Sequence, residues 1–246
     1  MSGIHQGAAD KSMAREVFIQ RLLRSEVGDR ILRILHYGST RRGDWHPESD
    51  VDLLVIASGD LRQVQQTCSD LAFEVILEQG QRIEAMVYCL EEWRNPRHFL
   101  SQVQTYAQEV YAVDENTRRQ REAEDLLDLA QVYLTMAEQL QNAHQARGAV
   151  DLAYNAAELA AKGLILLQGE ELPRTHSGLV THCGELLVRS GTLPSEMGRG
   201  LNRLLDQRNR ARYDPHATLL PEDGETALAL ARQMIEALEM CIESGL

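Results

Sequence analysis

The pattern of apolar residues changes once along this chain of 246 residues, near residues 114–117. Before that point, short apolar runs bounded by glycine, proline and charged residues alternate with amphipathic segments, which is typical of strands mixed with helices. After it, the apolar residues follow the long 3.6-residue period of helices. The pattern predicts an α+β chain of two domains: residues 1–115, built on a small mixed β-sheet, and residues 116–246, an all-α antiparallel helical bundle.

The run VDLLVIA at residues 51–57 has the pattern of a central strand, because it is apolar on both faces apart from Asp52. A helix should follow at 60–79, since Asp60 can cap its first turn and Gly80 can end it. The other predictions for this domain are strands at 30–37, 82–90 and 110–113, helices at 13–25 and 97–108, and a loop at 38–50. In the second domain, helices are predicted at 118–145, 148–167, 177–190, 195–213 and 224–244.

The formal net charge of −12 argues against a protein that coats nucleic acid through its overall field. No apolar run approaches the ~20 residues that span a bilayer, and the first residues lack the apolar core of a signal peptide. Cys68, Cys89, Cys183 and Cys241 lie far apart without a CxxC pair. We therefore expect buried thiols in a reducing cytoplasm rather than a zinc site or disulfides.

Asp50 and Asp52 lie two residues apart where the predicted central strand begins. Such side chains share one face of the strand, and two carboxylates so close repel each other unless a cation lies between them. Mg2+ suits this pair, because it takes oxygen ligands and keeps positions free for substrate phosphate. Glu84, in the strand at 82–90, is the candidate third carboxylate, to hold a second ion or to accept a proton. The structural alternatives are a turn or cap for the aspartates and the solvent face of an edge strand for Glu84.

Gly38 and Ser39 directly follow the strand at 30–37. Glycine lets the backbone approach a ligand closely, so this turn and its N–H groups can hold phosphate oxygens. Arg41 and Arg42 can neutralise further phosphate charge. A Gly-Ser pair alone is a weak signal, and the joint pattern of turn, arginine and aspartates is far more specific.

That joint pattern resembles the minimal nucleotidyltransferases of the polymerase-β-like superfamily, whose signature reads roughly GSxxRGxxxxxSDxDL. The matching residues are Gly38, Ser39, Arg42, Gly43, Ser49, Asp50, Asp52 and Leu53. The resemblance implies a mixed sheet with helices on one side, Mg2+ and ATP binding, and transfer of AMP by in-line attack on the α-phosphorus. In it, Asp50 and Asp52 are metal ligands, Glu84 is the third acid, a position that small members of the group vary or lack, and Gly38, Ser39, Arg42, Gly43 and Ser49 hold nucleotide or phosphate.

The second domain carries a polar cluster on the predicted helix at 195–213. Asn209 and Tyr213 are i, i+4 neighbours there, as are Arg208 and Arg212, a like-charged pair that is costly unless an anion lies nearby. Glu158 and Lys162 have the same spacing on an alanine-rich helix. Such pairs often serve only to fix helix ends.

Residues 118–244 resemble the HEPN helical domains, with Arg208, Asn209 and Tyr213 at the position of the family motif. Ribonucleases of that family carry Arg-x4–6-His. Tyr213 stands where histidine is expected, and Arg210 to His216 has the right spacing but contains Pro215. Tyrosine is a poor proton shuttle, so the resemblance favours the first domain as the seat of chemistry.

The two resemblances together imply a toxin–antitoxin-like fusion in which AMP moves from ATP to a hydroxyl group. The acceptor is a protein tyrosine, with Tyr213 itself as a candidate, an RNA end, or a small molecule as in the aminoglycoside adenylyltransferases. The helical domain is expected to select it and to form a homodimer, and no membrane partner is expected. The open alternatives are a HEPN ribonuclease restrained by its own first domain and a non-catalytic nucleotide sensor.

Overall fold

Four strands form one mixed sheet in the N-terminal part of the chain. They are β1 (Ile31–Tyr37), β2 (Val51–Ala57), β3 (Ile83–Tyr88) and β4 (Gln108–Ala112), in the order β3-β2-β1-β4. β1 is antiparallel to β2 and β4, whereas β2 and β3 are parallel. The structure, a computed structural model, describes residues 2–46 and 48–244 and confirms the predicted α+β class.

The described residues of this first unit form five α-helices, α1 (Ser2–Arg24), α2 (Gly38–Arg42), α3 (Leu61–Gln79), α4 (Leu90–Arg94) and α5 (His98–Tyr106), besides a short 3-10 helix at Gly28–Arg30. They cover both faces of the sheet, because neighbouring residues of β2 belong to different clusters. Leu53 packs with Phe18 of α1 and Val64 of α3, and Leu54 packs with Leu100 of α5. The expectation of helices on one side only is therefore wrong, since β2 is apolar on both faces and each face needs a cover.

Local signals account for α3 but not for α1 or α2. The carboxylate of Asp60 accepts hydrogen bonds from the N–H groups of Arg62 and Gln63, and Gly80 ends α3 in the left-handed conformation, as predicted. The predicted loop at 38–50 instead begins with the single turn α2. The helix predicted at 13–25 begins at Ser2, earlier than its large apolar residues indicated.

The remaining helices form the second unit: α6 (Glu115–Asn142), α7 (Ala146–Leu167), α8 (His176–His182), α9 (Ser195–Tyr213) and α10 (Pro221–Ser244). The two units are residues 1–114 and 115–246. A π-helical segment, Cys183–Val188, continues α8. Alanines of α7, among them Ala153, Ala157 and Ala160, are completely buried in one core with residues of α6, α9 and α10. Their small side chains let these helices approach α7 closely.

Across the part of the chain that the structure describes, no helix is both long and apolar enough to cross a bilayer. The four cysteines are free thiols. Cys68 and Cys183 are buried, whereas Cys89 and Cys241 are only half-buried, which corrects the expectation that all four are core residues.

Candidate nucleotidyl-transfer site

The parallel pairing of β2 and β3 places two of the predicted carboxylates side by side. Asp52 is in register with Glu84 on β3 and with Tyr37 on β1. Residues in register across neighbouring strands project from the same face. Glu84 is solvent-exposed on this edge strand, as the structural alternative required, but it is also the immediate neighbour of Asp52.

Asp50 lies just before β2, and its Oδ1 atom is buried without a hydrogen-bond donor among the described residues. Arg82 Nε lies 3.5 Å from that oxygen. The pairing of Val51 N–H with the carbonyl of Arg82, at 2.9 Å, holds the starts of β2 and β3 together. A buried carboxylate oxygen that lacks a donor is a natural ligand for a cation.

The electrostatics of Asp52 also favour a bound cation. Burial, together with the charges of Glu84 and Asp50, raises the pKa of Asp52 to about 6, although Arg42 opposes the shift. Burial and the same acidic neighbours, Asp52 and Glu84, raise the pKa of Tyr37. A divalent cation would relieve this repulsion and lower the pKa of Asp52 again.

The carboxylates of Asp50 and Asp52 fit Mg2+ if other ligands complete its coordination. Among the residues with described side chains, no three His, Cys, Asp or Glu side chains are arranged to hold a metal on their own. Mg2+ in nucleotide sites is commonly held by one or two carboxylates together with substrate phosphates and water. Asp50 and Asp52 therefore fit a metal that arrives with a nucleotide better than a permanent protein cage.

Gly38 brings the backbone against the carboxylate of Asp52. Its φ is +75°, and a Cβ atom there would lie 1.7 Å from Asp52 Oδ2. Only glycine permits both the conformation and the approach. Ser39 follows in α2, which ends where the N–H of Gly43 donates to the Ser39 carbonyl at 2.9 Å. The turn predicted to hold phosphate thus borders the predicted metal ligand.

The two other predicted phosphate-binding residues, Arg42 and Ser49, have different surroundings. Arg42 is exposed, pairs with Asp44 Oδ2 at 3.3 Å and lies 5.7 Å from the centroid of the Tyr106 ring. The hydroxyl of Ser49 instead accepts the N–H of His46 at 2.8 Å and so closes the loop before β2. The phosphate roles of both residues stay predictions.

Two residues next to this site carry no motif and were missed in the sequence. Lys11 of α1 donates to the carbonyl of Ser49 at 2.6 Å. His36 lies 2.8 Å from Thr40 Oγ1 through Nε2 and 3.1 Å from an Arg15 nitrogen through Nδ1. Single polar residues far apart in sequence give no local signal of such pairings.

In the helical unit, the predicted motif residues gather around Arg208. This arginine is only 4% exposed. Its guanidinium lies over the rings of Tyr154 and Tyr213, at 5.5 and 5.9 Å from their centroids, and donates to Asn209 Oδ1 at 3.1 Å. Tyr213 itself is 70% exposed.

Carboxylates of α7 balance the cations of this cluster. Asp151 is the anion beside the like-charged pair, 2.9 Å from Arg212 and 3.6 Å from Arg208 Nε. Glu158 forms the predicted ion pair with Lys162 at 3.1 Å.

His176 was not among the predicted site residues, yet it belongs to the cluster. Its Nδ1 lies 3.0 Å from Glu158 Oε2, and its Nε2 lies 3.5 Å from an Arg208 nitrogen. The histidine comes from α8 rather than from the helix that carries the motif, so motif spacing could not find it.

Two family models match this chain in tandem. Residues 19–132 match the model of the nucleotidyltransferase domain, and residues 123–241 match the model of the HEPN domain. A protein of Methanocaldococcus jannaschii, provisionally named a protein adenylyltransferase, is 37% identical over 65 residues, which cover 26% of this chain and 61% of that protein. The spectinomycin adenyltransferase of Enterococcus faecialis, solved with ATP and spectinomycin, is 15% identical with a TM-score of 0.29, over 90% of this chain and 97% of that one.

Proposed function

The chain carries a nucleotidyltransferase domain followed by a HEPN domain, and we propose that it is a Mg2+-dependent adenylyltransferase that moves AMP from ATP to a hydroxyl group. The observation that carries this proposal is the row formed by Gly38, Asp52 and Glu84. The Gly38 turn and two carboxylates on adjacent strands meet there. Asp50 completes the acidic set, because its buried Oδ1 accepts no hydrogen bond among the described residues and has the Arg82 guanidinium nearby, at 3.5 Å.

Each residue has a role in this reaction. Asp50 and Asp52 would hold Mg2+, which supplies charge neutralisation at the phosphates when it is bound. The backbone of Gly38 and Ser39 and the guanidinium of Arg42 orient the phosphates for in-line attack. The acceptor oxygen bonds to the α-phosphorus as the bond to the bridging oxygen breaks, and pyrophosphate leaves. We assign the proton of the acceptor hydroxyl to Glu84, because it is the in-register neighbour of Asp52.

We propose a protein hydroxyl as the acceptor, with Tyr213 as the first candidate. Its 70% exposure supports this choice, because an acceptor must be accessible. The name of the Methanocaldococcus relative points to the same class. Such self-modification is what a toxin–antitoxin-like fusion would use, and an RNA end or a small molecule is the competing acceptor.

The test is to incubate the protein with α-labelled ATP and Mg2+, alone, with RNA and with aminoglycosides. Label should appear on the chain and disappear in Tyr213→Phe, and intact mass should show the AMP adduct. Asp50→Asn and Asp52→Asn should each lower the rate about 100-fold or more, the effect of losing roughly 3 kcal/mol of transition-state stabilisation. Asp70→Asn, an exposed carboxylate of α3, is the matched control. Transfer that survives both site substitutions would disprove the proposal.

A second function, metal-free cleavage of RNA, is favoured by His176. A histidine oriented by Glu158 and adjacent to Arg208 has the elements of a general base beside a cation that stabilises an anionic phosphate. RNA cleavage lost in His176→Asn but kept in His216→Asn would support this function. Intact RNA after long incubation with the wild-type protein would exclude it.

We also propose that the protein forms a homodimer through the helical unit. α6 leaves Leu129, Val132 and Met136 exposed at a spacing that puts them on one side of the helix. A second copy of the same helix would bury them. Sedimentation velocity should show a dimer that Val132→Glu converts to a monomer, and a wild-type monomer at micromolar concentration would refute this proposal.

A further inference from the structure

Lys11 of α1 is a buried cation outside the motif and outside the residues that match the nucleotidyltransferase model. It is 6% exposed. Its ammonium group donates to the carbonyl of Ser49 at 2.6 Å and to Gln81 Oε1 at 3.1 Å, and it lies 5.7 Å from the centroid of the Trp45 ring. An ammonium group has three donors, so two hydrogen bonds and one aromatic face leave it satisfied.

These hydrogen bonds engage the residue before Asp50 and the residue before its ion-pair partner Arg82. Ser49 immediately precedes Asp50, so the hydrogen bond to the Ser49 carbonyl fixes the orientation of the peptide group that joins the two residues. Gln81 precedes Arg82, whose Nε approaches Asp50 Oδ1 at 3.5 Å. Lys11 thus ties together the two loops that meet at Asp50.

The positive charge of Lys11 also helps to hold Asp50 in place. Burial lowers the pKa of Lys11, and the negative charge of Asp50 opposes that shift, so the two groups attract each other. Asp50, Asp52 and Glu84 repel one another when no metal is bound, as the pKa of Asp52 reflects. A fixed cation behind Asp50 offsets part of that repulsion.

The helix that carries Lys11 is itself held firmly. Ala14 and Phe18 of α1 are completely buried against the sheet. Arg15 reaches His36 on β1 at 3.1 Å. The ammonium group is therefore delivered by a rigid element rather than by a loose N-terminal segment.

We propose that Lys11 is a positioning residue of the transfer site, which holds Asp50 in the orientation needed to bind Mg2+. This inference rests on the proposed function. It assigns to the start of α1 a role that the motif does not contain. Lys11 would not touch substrate, and it acts through the peptide group of Ser49 and the charge of Asp50.

The experiment compares Lys11→Met, Lys11→Arg and wild type, with Arg21→Met as the control. Arg21 also lies on α1, but it pairs with Glu74 and Glu78 of α3, away from Asp50. Mg2+ binding is measured by calorimetry with a non-hydrolysable ATP analogue. Lys11→Met should weaken it about 10- to 100-fold, the usual effect of removing a group that orients a ligand. Lys11→Arg should recover most of the loss, and Arg21→Met should bind as wild type does.

Amide hydrogen exchange separates this inference from the proposed function. Lys11→Met should speed exchange at residues 45–51 and leave exchange in α3 unchanged, whether or not transfer is detected. Unchanged exchange there, or an equal loss of Mg2+ affinity in Arg21→Met, would overturn the inference. If exchange at residues 45–51 is faster in Lys11→Met than in wild type, but the wild-type protein never transfers AMP, only the proposed function is refuted. If Lys11→Met does not fold, Lys11→Gln, which keeps a donor without the charge, replaces it.

Discussion

His36 is a buried histidine whose hydrogen bonds fix its neutral form. The Arg15 guanidinium has only donors, so Nδ1 of His36 must accept, and Nε2 carries the proton that it donates to Thr40 Oγ1. Burial, together with the charges of Arg15 and Arg41, lowers the pKa of His36 to about 4. The side chain thus joins β1 to α2, next to the turn predicted to hold phosphate, without a charge of its own.

This neutral histidine predicts a loss of stability in mild acid. Between its folded pKa of about 4 and the unfolded value near 6.5, the unfolded chain binds more protons. The free energy of unfolding should therefore fall as pH drops from ~6.5 to ~4, by up to about 3 kcal/mol. Urea titrations at pH 7.5 and 4.5 would measure the loss. His36→Gln should make this loss of stability smaller, whereas His98→Gln, at an exposed position of α5, should leave it unchanged. An equal pH dependence of the unfolding free energy in wild type and both variants would show that His36 is not its cause.

Gly38 gives a second prediction for a single residue. Gly38→Ala should reduce transfer to near background, because its Cβ would occupy the place of Asp52 Oδ2. Gly80→Ala is the matched control, since Gly80 also has a positive φ of +67° but nothing within 4 Å of an added Cβ. Both variants should lose about 1 kcal/mol of stability from backbone strain, measured by urea unfolding. Only the first should lose activity, and an active Gly38→Ala would show that Asp52 tolerates displacement.

Elements with local start and stop signals were predictable, and the others were not. β2 has the predicted bounds, and α9 ends at Tyr213, just before Asp214 and Pro215. α8 was predicted as one regular helix, but its π-helical continuation departs from the 3.6-residue period on which that prediction relied. The adjacency of Asp52 and Glu84 follows from strand register, which the apolar pattern restricts but does not fix.

The close packing around α7 predicts a low tolerance for larger side chains on the helices that face it. Ala231 of α10 is completely buried, and Ala229 on the same helix is exposed. Ala231→Leu should lower the free energy of unfolding of the helical unit by about 1–3 kcal/mol through overpacking. Ala229→Leu should change it by less than about 0.5 kcal/mol. Thermal unfolding followed by circular dichroism would compare the two, and similar midpoints would argue against a tightly packed core here.

For the whole molecule, the division into two compact units predicts two calorimetric transitions. Mg2+ and an ATP analogue at 100 times the dissociation constant should stabilise the nucleotidyltransferase unit by about 2.7 kcal/mol. For a unit of this size, that raises its midpoint by roughly 10 °C. Ala231→Leu identifies the other transition, because it should shift only the helical unit. If the ligand shifted only the transition of the helical unit, the nucleotide would bind to that unit, contrary to this prediction.

Because α1 packs on the sheet, it also limits where the chain can be truncated. A fragment trimmed to the nucleotidyltransferase match, residues 19–132, would keep every motif residue from Gly38 to Glu84. It would lose Lys11, together with the completely buried Ala14 and Phe18, and so uncover the apolar face that Leu53 shares with them. Dissection of the activity should therefore begin at the first turn of α1, because inactivity of the shorter fragment would report a missing helix rather than a defective motif.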